Sequence, residues 1–385
     1  MSVLGFRRRA PSPFDPVEPM NSTVGTAVAA LRAGHMVVVV DAENPDDDGD
    51  LMLAGGHATP ERVAFMVRHT SGILCVPMPA SDLDRLRLPP MVAVNEDPRG
   101  TGYAVSVNAR TGIASGISAA DRARTIALLA QPDTQPSDLS RPGHVFPLRA
   151  VDGGVLRRAG HTEAAVDLVR LAGLPPVAVI GEVVDDDGAV ARGERLQAFA
   201  AKHELIVVTM SDLIAYRRLT ERLVEFKASS RLPTHHGEFE AHGFRSVLDD
   251  REHIALVMGD VPRQDHAPTL VRVHSECLMG NVFESAGCDC GPQLESALQM
   301  IAAEGFGVVV YLRGHEGRHA YRLQDEGDAR DYGVGAQILA ELGVRRMRLI
   351  TNNPVKRIGL EAYGLEVTET VQLPESATDE TSMSC

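Results

Sequence analysis

The chain has 385 residues, 44% hydrophobic and 23% charged, a balance that excludes wholesale disorder and exceeds one small domain. A formal net charge of −14 excludes a broad electrostatic hold on nucleic acid or an anionic membrane. No run of 18 apolar residues occurs and Arg7-Arg8-Arg9 precedes prolines rather than a signal-peptide core, so a cytoplasmic protein with no nucleic-acid or membrane partner is expected.

In chain order, residues 1–20 carry four prolines and no period, and read as a flexible lead-in. Val24, Ala27, Val28 and Leu31 fall at helical spacing, Gly34 stops that helix, and Met36–Val40 is a buried strand running into Asp41. An acidic loop follows, Asp41-Ala42-Glu43-Asn44-Pro45-Asp46-Asp47-Asp48-Gly49-Asp50. Hard oxygen ligands after a strand suit magnesium shared with a substrate phosphate, although a solvated acidic turn is the plainer alternative. Further on, Arg141–Ala150 and Gly153–Ala164 each place a histidine (His144, His161) after glycine among arginines, and two such loops suit a phosphate-sugar site. A helix over Ala165–Ala172 ends at Gly173, a strand covers Val177–Val184, and Ser211 is the expected N-cap of another helix. The charged stretch 220–232 reads as a linker, helical or extended.

Beyond it, Pro292 marks a helix start, with Leu294, Ala297, Leu298, Ile301 and Ala302 on one face and Gly305 closing it before a strand over Gly307–Leu312. A helix over Ala336–Leu342 closes at Gly343, and a strand over Val344–Ile350 ends in Thr351-Asn352-Asn353-Pro354. This alternation predicts an α/β class (α+β in part), two domains, each a mixed sheet with flanking helices. The expected bounds are 21–219 and 233–373, with a polar tail over 374–385. Three of five cysteines, Cys277, Cys288 and Cys290, lie within fourteen residues. Three thiolates suit zinc and leave a fourth position for water, the arrangement of catalytic sites.

The segments around that cluster carry a family resemblance. Arg272-Val273-His274-Ser275-Glu276 leads into Cys277, and Cys290 opens Cys-Gly-Pro-Gln-Leu. Arg313-Gly314-His315-Glu316-Gly317-Arg318, Gln324-Asp325-Glu326-Gly327, Asp328-Ala329-Arg330 and Thr351-Asn352-Asn353-Pro354 follow in order. Residues 270–373 resemble GTP cyclohydrolase II, which opens the imidazole ring of GTP at a zinc site with loss of formate and pyrophosphate. The resemblance implies zinc on Cys277, Cys288 and Cys290. It implies GTP contacts from Arg272, Val273, His274, Ser275, Glu276, Gln293, Glu316, Gly317, Arg318, Thr351 and Lys356. Asp328 would be the acid/base, Arg330 the nucleophile at the α-phosphate, and Tyr321 an aid at the purine. The chain is shorter than the family between Arg318 and Tyr321 and between Gly327 and Asp328.

The acidic loop, the two histidine segments and Gly116-Ile117-Ser118-Ala119-Ala120-Asp121-Arg122 resemble dihydroxybutanone phosphate synthase. That family uses magnesium (or manganese) to convert ribulose 5-phosphate with loss of formate. The resemblance implies Asp46 and His161 as metal ligands, and substrate contacts from Asp50, Arg158, Ala159, Gly160, His161, Thr162 and Glu182. His144 and Glu182 would serve the proton transfers. Pro45 stands where the family loop has arginine, and Asp46 and Asp48 where it has longer carboxylates. Both resemblances in this order are similar to the bifunctional riboflavin biosynthesis family, which implies a homodimer with GTP and ribulose 5-phosphate as substrates. The altered motifs leave two rivals: a paralogue that binds these ligands without turnover, or an enzyme redirected to a related purine or pentose phosphate.

Overall fold

Four consecutive valines, Val37–Val40, are all buried, which requires a sheet covered on both faces. In a computed structural model, which describes residues 22–41, 48–261, 267–285, 287–313, 329–352 and 365–373 (side chains of 329–332 excepted), that strand lies inside the first of two seven-stranded sheets. The chain divides into two compact units between Arg217 and Arg218.

The first unit runs α1 (Thr23–Arg32), β1 (Val37–Val40), β2 (Gly49–Ala54), α2 (Pro60–His69), β3 (Cys75–Pro79), α3 (Ala80–Arg85), β4 (Val107–Ala109), α4 (Ala119–Leu129), β5 (Leu139–Ala150), α5 (His161–Leu171), β6 (Ala178–Glu182), α6 (Gly193–Lys202), β7 (Ile206–Thr209) and α7 (Met210–Thr220). Its strand order is β4-β5-β3-β6-β2-β1-β7, parallel at β1/β7 and β3/β5 and antiparallel elsewhere. Side chains alternate across the sheet: Val38, Leu51 and Leu53 face one core, and Val37, Val39 and Met52 face the other. The register sets Val40 opposite Gly49 and Asp50 opposite Glu182, so the end of β1, the start of β2 and the end of β6 meet at one edge of the sheet.

The second unit runs β8 (Val224–Thr234), β9 (Gly237–Ser246), β10 (Glu252–Met258), β11 (Thr269–Ser275), α8 (Leu278–Asn281), α9 (Cys290–Glu304), β12 (Gly307–Leu312), α10 (Ala329–Glu341), β13 (Arg346–Ile350) and β14 (Glu366–Val371). Its order is β14-β13-β11-β12-β10-β9-β8, with a parallel half (β11 to β14) and an antiparallel half (β8 to β10). One core, holding Ile338 and Leu339 of α10, and another, holding Ala297 and Ile301 of α9, cover opposite faces of the sheet.

The expected α/β class and the two mixed sheets with flanking helices are present. Gly34, Gly173, Gly305 and Gly343 follow helices at φ between 72° and 89°, as expected of left-handed stops. Four local expectations are corrected. The stretch 220–232 is no linker: β8 occupies most of it and is hydrogen-bonded along β9, because a charged, exposed edge strand has a polar composition much like a connector's. Ser211 does not cap α7, which begins at Met210 with the Asp212 N–H donating to Thr209 Oγ1 at 3.0 Å. Helix α10 starts at Ala329 rather than 336, its early period masked by Gly333 and Gly335. His144 lies in β5 and His161 is the first residue of α5, not on loops. Pro142 and Pro147 disguise β5, and a register shift between Val107 and Asn108 accommodates the irregular pairing there. The expected lead-in 1–20 and tail 374–385 lie outside the described residues.

Candidate functional site

In the first unit the polar cluster stands at the sheet edge where β1, β2 and β6 meet. His161 Nδ1 is 3.0 Å from Asp50 Oδ2, a hydrogen bond that fixes the ring and leaves Nε2 facing Asp41 Oδ1 at 3.7 Å. That Nε2 is buried and, among the described residues, has no hydrogen-bond partner. Burial disfavours charge on His161, yet Asp50, Asp41 and Asp48 together hold its pKa above the usual value. A lone ring nitrogen among carboxylates is a donor set that a divalent cation fits, and the hydrogen bond from a carboxylate to the other ring nitrogen is the usual support of a ligating histidine.

Asp48 and Glu182 are hydrogen-bonded to each other. Burial raises both, but the bond to Glu182 and the charge of Arg99, 3.7 Å away, outweigh it at Asp48 and hold that group below its ordinary range. Glu182 goes the other way, raised first by burial and then by Asp48 and Asp50. The two shifts run in opposite directions, so Asp48 is the more acidic of the pair and Glu182 the more readily protonated. Cys75, paired with Ile180 in the sheet, is a neutral thiol pushed up to about 12 by burial and then by Asp50.

Arg158 donates to the buried Glu163 at 2.7 Å and to the Arg99 carbonyl at 3.0 Å, so the loop before α5 is tied at both ends of that guanidinium. Ala159 and Gly160 precede His161 there, and Thr162 is buried. His144 is held by Asn108: its backbone N–H donates to Asn108 Oδ1 at 2.9 Å, and Nδ1 lies 3.2 Å from Asn108 Nδ2. Gly143 is needed for that approach, since a Cβ there would fall 1.9 Å from the Val107 carbonyl carbon. Asp46, with Pro45 and Asp47, lies outside the described residues.

In the second unit the Sγ atoms of Cys277, Cys288 and Cys290 all lie within 4.8 Å of one another, with Cys277 and Cys288 at 3.5 Å. Tetrahedral zinc with bonds of about 2.3 Å sets sulfurs about 3.8 Å apart, so the cluster fits that ion. Gly280 makes the approach feasible: a Cβ there would stand 2.7 Å from Cys288 Sγ. The Gly280 N–H also donates to Cys277 Sγ at 3.3 Å.

Arg272 is 3% exposed and donates to the Ile350 carbonyl at 3.0 Å and to Gln293 Oε1 at 2.6 Å. Gln293 Nε2 in turn donates to Asp289 Oδ2 at 2.6 Å, between two of the cysteines. Two expected GTP contacts, Arg272 and Gln293, are thus linked to the thiolate loop and to the residue before Thr351. Val273 has its side chain in the apolar core. His274 is buried and stacked on Tyr311, with ring centroids 5.6 Å apart, while Ser275 and Glu276 are exposed. Thr351 is buried, its N–H donating to the Val371 carbonyl at 2.9 Å. Glu316, Gly317, Arg318, Tyr321, Asp328 and Lys356, and the side chain of Arg330, lie outside the described residues. The sequence did not single out Asn108, Asn281, Asp289 or Tyr311, whose partners are mostly distant in the chain.

Comparison with known proteins shows the family. The model of 3,4-dihydroxy-2-butanone 4-phosphate synthase matches residues 25–216, and that of GTP cyclohydrolase II matches residues 225–372. Riboflavin biosynthesis protein RibBA of Rhodococcus jostii (strain RHA1) is 56% identical over 384 residues, 93% of this chain and 92% of its own. The protein of that name from Salinispora arenicola (strain CNS-205) is 57% identical over 374 residues, 91% and 89%. Among solved structures, RibBX, a two domain 3,4-dihydroxy-2-butanone 4-phosphate synthase from A. baumannii, matches with a TM-score of 0.72 at 36% identity, covering 92% of this chain and 100% of its own. Fold and site together define a two-domain enzyme, a synthase-type unit followed by a cyclohydrolase-type unit. The chain belongs to the bifunctional riboflavin biosynthesis family.

Proposed function

We infer that the chain is a bifunctional enzyme of riboflavin biosynthesis. Its first unit converts ribulose 5-phosphate to 3,4-dihydroxy-2-butanone 4-phosphate and formate, and its second opens the imidazole ring of GTP with release of formate and pyrophosphate. The observation that carries this is that each family match covers one whole unit and coincides with one convergent polar cluster. Identity above one half across nearly the full length favours neither a non-catalytic paralogue nor a redirected enzyme.

In the first unit, His161 with Asp41 would hold magnesium (or manganese), joined by Asp46 from the loop. The ion would polarise the sugar oxygens when bound. Asp48, held acidic, would serve as base and Glu182, the more readily protonated of the two, as acid for moving protons along the carbon chain. Asp50 keeps His161 in one tautomer, Asn108 orients His144, and Arg158 to Thr162 form the wall that meets the phosphate end.

In the second unit, Cys277, Cys288 and Cys290 would hold zinc, which when bound activates water for hydrolysis. The Arg272–Gln293–Asp289 chain stiffens the floor between this site and Thr351, and Ser275 and Glu276 are exposed to meet a nucleotide. Asp328 as acid/base, Arg330 as nucleophile, and Tyr321, Glu316, Gly317, Arg318 and Lys356 as GTP contacts rest on the family motifs. A homodimer, implied by the family resemblance of the sequence, belongs to the same reading. Among the described residues no helix is long and apolar enough to cross a membrane.

The test separates the two units within one chain. Cys288→Ser should lose zinc and formate release from GTP while keeping formate release from ribulose 5-phosphate, and His161→Ala should do the reverse. Loss of both activities in either variant that remains folded would count against two independent sites.

A further inference from the structure

We propose that Asn281 is a positioning residue of the thiolate site, its side-chain oxygen anchoring the turn that aims Cys277 at Cys288 and Cys290 and so setting how tightly zinc is held. This rests on the zinc role of those cysteines given above.

Three groups converge on one atom. Asn281 Oδ1 accepts the Cys277 backbone N–H at 2.9 Å and the Tyr311 hydroxyl at 3.2 Å, and lies 3.3 Å from His274 Nε2. The first belongs to a ligand, the second to β12 and the third to β11, strands that pair with each other and place His274 opposite Tyr311.

Among the described residues, one backbone bond ties the chain just ahead of the turn to the sheet, the Glu276 N–H donating to the Leu312 carbonyl at 2.7 Å. Helix α8 has four residues, too few to be stable by itself. Its apolar side chains do not anchor it either: Leu278 is 48% exposed, Met279 40%, and the following Val282 and Phe283 63% and 65%. From within the turn itself, it is Asn281 that reaches the rigid sheet, at His274 and Tyr311. Fixing the Cys277 amide fixes the backbone torsions that decide where its Sγ points, and the same turn supplies the Gly280 N–H to that sulfur. Groups that orient metal ligands in this way typically change metal affinity 10–100-fold when removed.

The test is zinc affinity of the full chain, measured by competition with a chromophoric chelator, with the cobalt-substituted absorption spectrum and thermal unfolding alongside. Asn281→Leu keeps the shape and removes the acceptor, and should weaken zinc about 10–100-fold with an altered cobalt spectrum. Asn281→Asp keeps an acceptor oxygen and should stay near wild type. Tyr311→Phe removes one donor and should weaken zinc in the same direction by less. A folded Asn281→Leu that binds zinc as wild type does overturns the proposal. Should that variant not fold, unchanged affinity and spectrum in Tyr311→Phe overturn it instead. Wild type that binds no zinc, or Cys288→Ser that binds it equally well, brings down the zinc assignment and this proposal together, and so is distinguishable from failure of Asn281 alone.

Discussion

At Asp48 and Glu182, burial raises both carboxyls, but the hydrogen bond with Glu182 and then the charge of Arg99 bring Asp48 below its ordinary range, while Asp48 and Asp50 push Glu182 further up. Because Asp48 raises Glu182 through both its hydrogen bond and its charge, Asp48→Asn should lower the Glu182 pKa. The alkaline limb of formate release from ribulose 5-phosphate should therefore move to lower pH, and an unmoved or raised limb would contradict the influence of Asp48 on Glu182. At the cysteines, purified wild type should carry about one zinc per chain, the stoichiometry of a three-thiolate site, and Cys288→Ser should carry none by metal analysis. Cys277, Cys288, Cys290, His161 and the acidic loop with Asp50 were legible as candidates from residue type and spacing, whereas Glu182 entered through the family resemblance alone. Asn108 and Asn281 were not legible: Asn108 acts on His144, 36 residues away, and Asn281 joins the nearby Cys277 and His274 to Tyr311, 30 residues away, which strand pairing brings near. Nor did the sequence reveal that Arg272 is buried and bonded to Gln293, since an arginine in a motif looks the same whether it meets substrate or backbone.

Among the elements, α7 is tied to the first unit by Arg217, which donates to Asp167 at 2.6 Å and to the Gly153 carbonyl at 2.8 Å. Both side chains are almost wholly buried, and Asp167 also accepts the Val155 N–H. Arg217→Ala leaves that carboxylate without its main counter-charge, so it should destabilise the first unit by about 3–5 kcal/mol, read as a lower denaturant midpoint. On β10, burial lowers the pKa of His253 from 6.5 to about 4, and its Nδ1 accepts the Arg313 N–H at 3.2 Å. A depressed folded-state value means the neutral form is preferred, so the contribution is full above pH about 6.5 and is lost as pH falls toward about 4, at most about 3 kcal/mol. His253→Asn keeps the acceptor and should flatten the stability curve across that window; an unchanged slope in chemical denaturation would contradict this. Elements with strong apolar runs, such as β1 and β12, were legible from composition alone. Polar edge strand β8 and proline-bearing β5 were not, because their signal is pairing with a neighbour rather than local preference.

For the whole molecule, the order of two motif sets along one chain carried the architecture, and the two sheets bear it out. The division falls between Arg217 and Arg218 rather than inside 220–232, since the second sheet takes up the chain almost at once. The sequence expectation of an altered loop at Pro45 to Asp48 and of shortened stretches after Arg318 and Gly327 makes activity of both units the claim to test. Its most direct test is formate and pyrophosphate release by one purified chain, supplied with zinc and magnesium and given GTP and ribulose 5-phosphate in separate reactions. The account predicts formate from both substrates, with pyrophosphate from GTP alone. Formate from ribulose 5-phosphate beside GTP that is bound but never opened, or the converse, would contradict it.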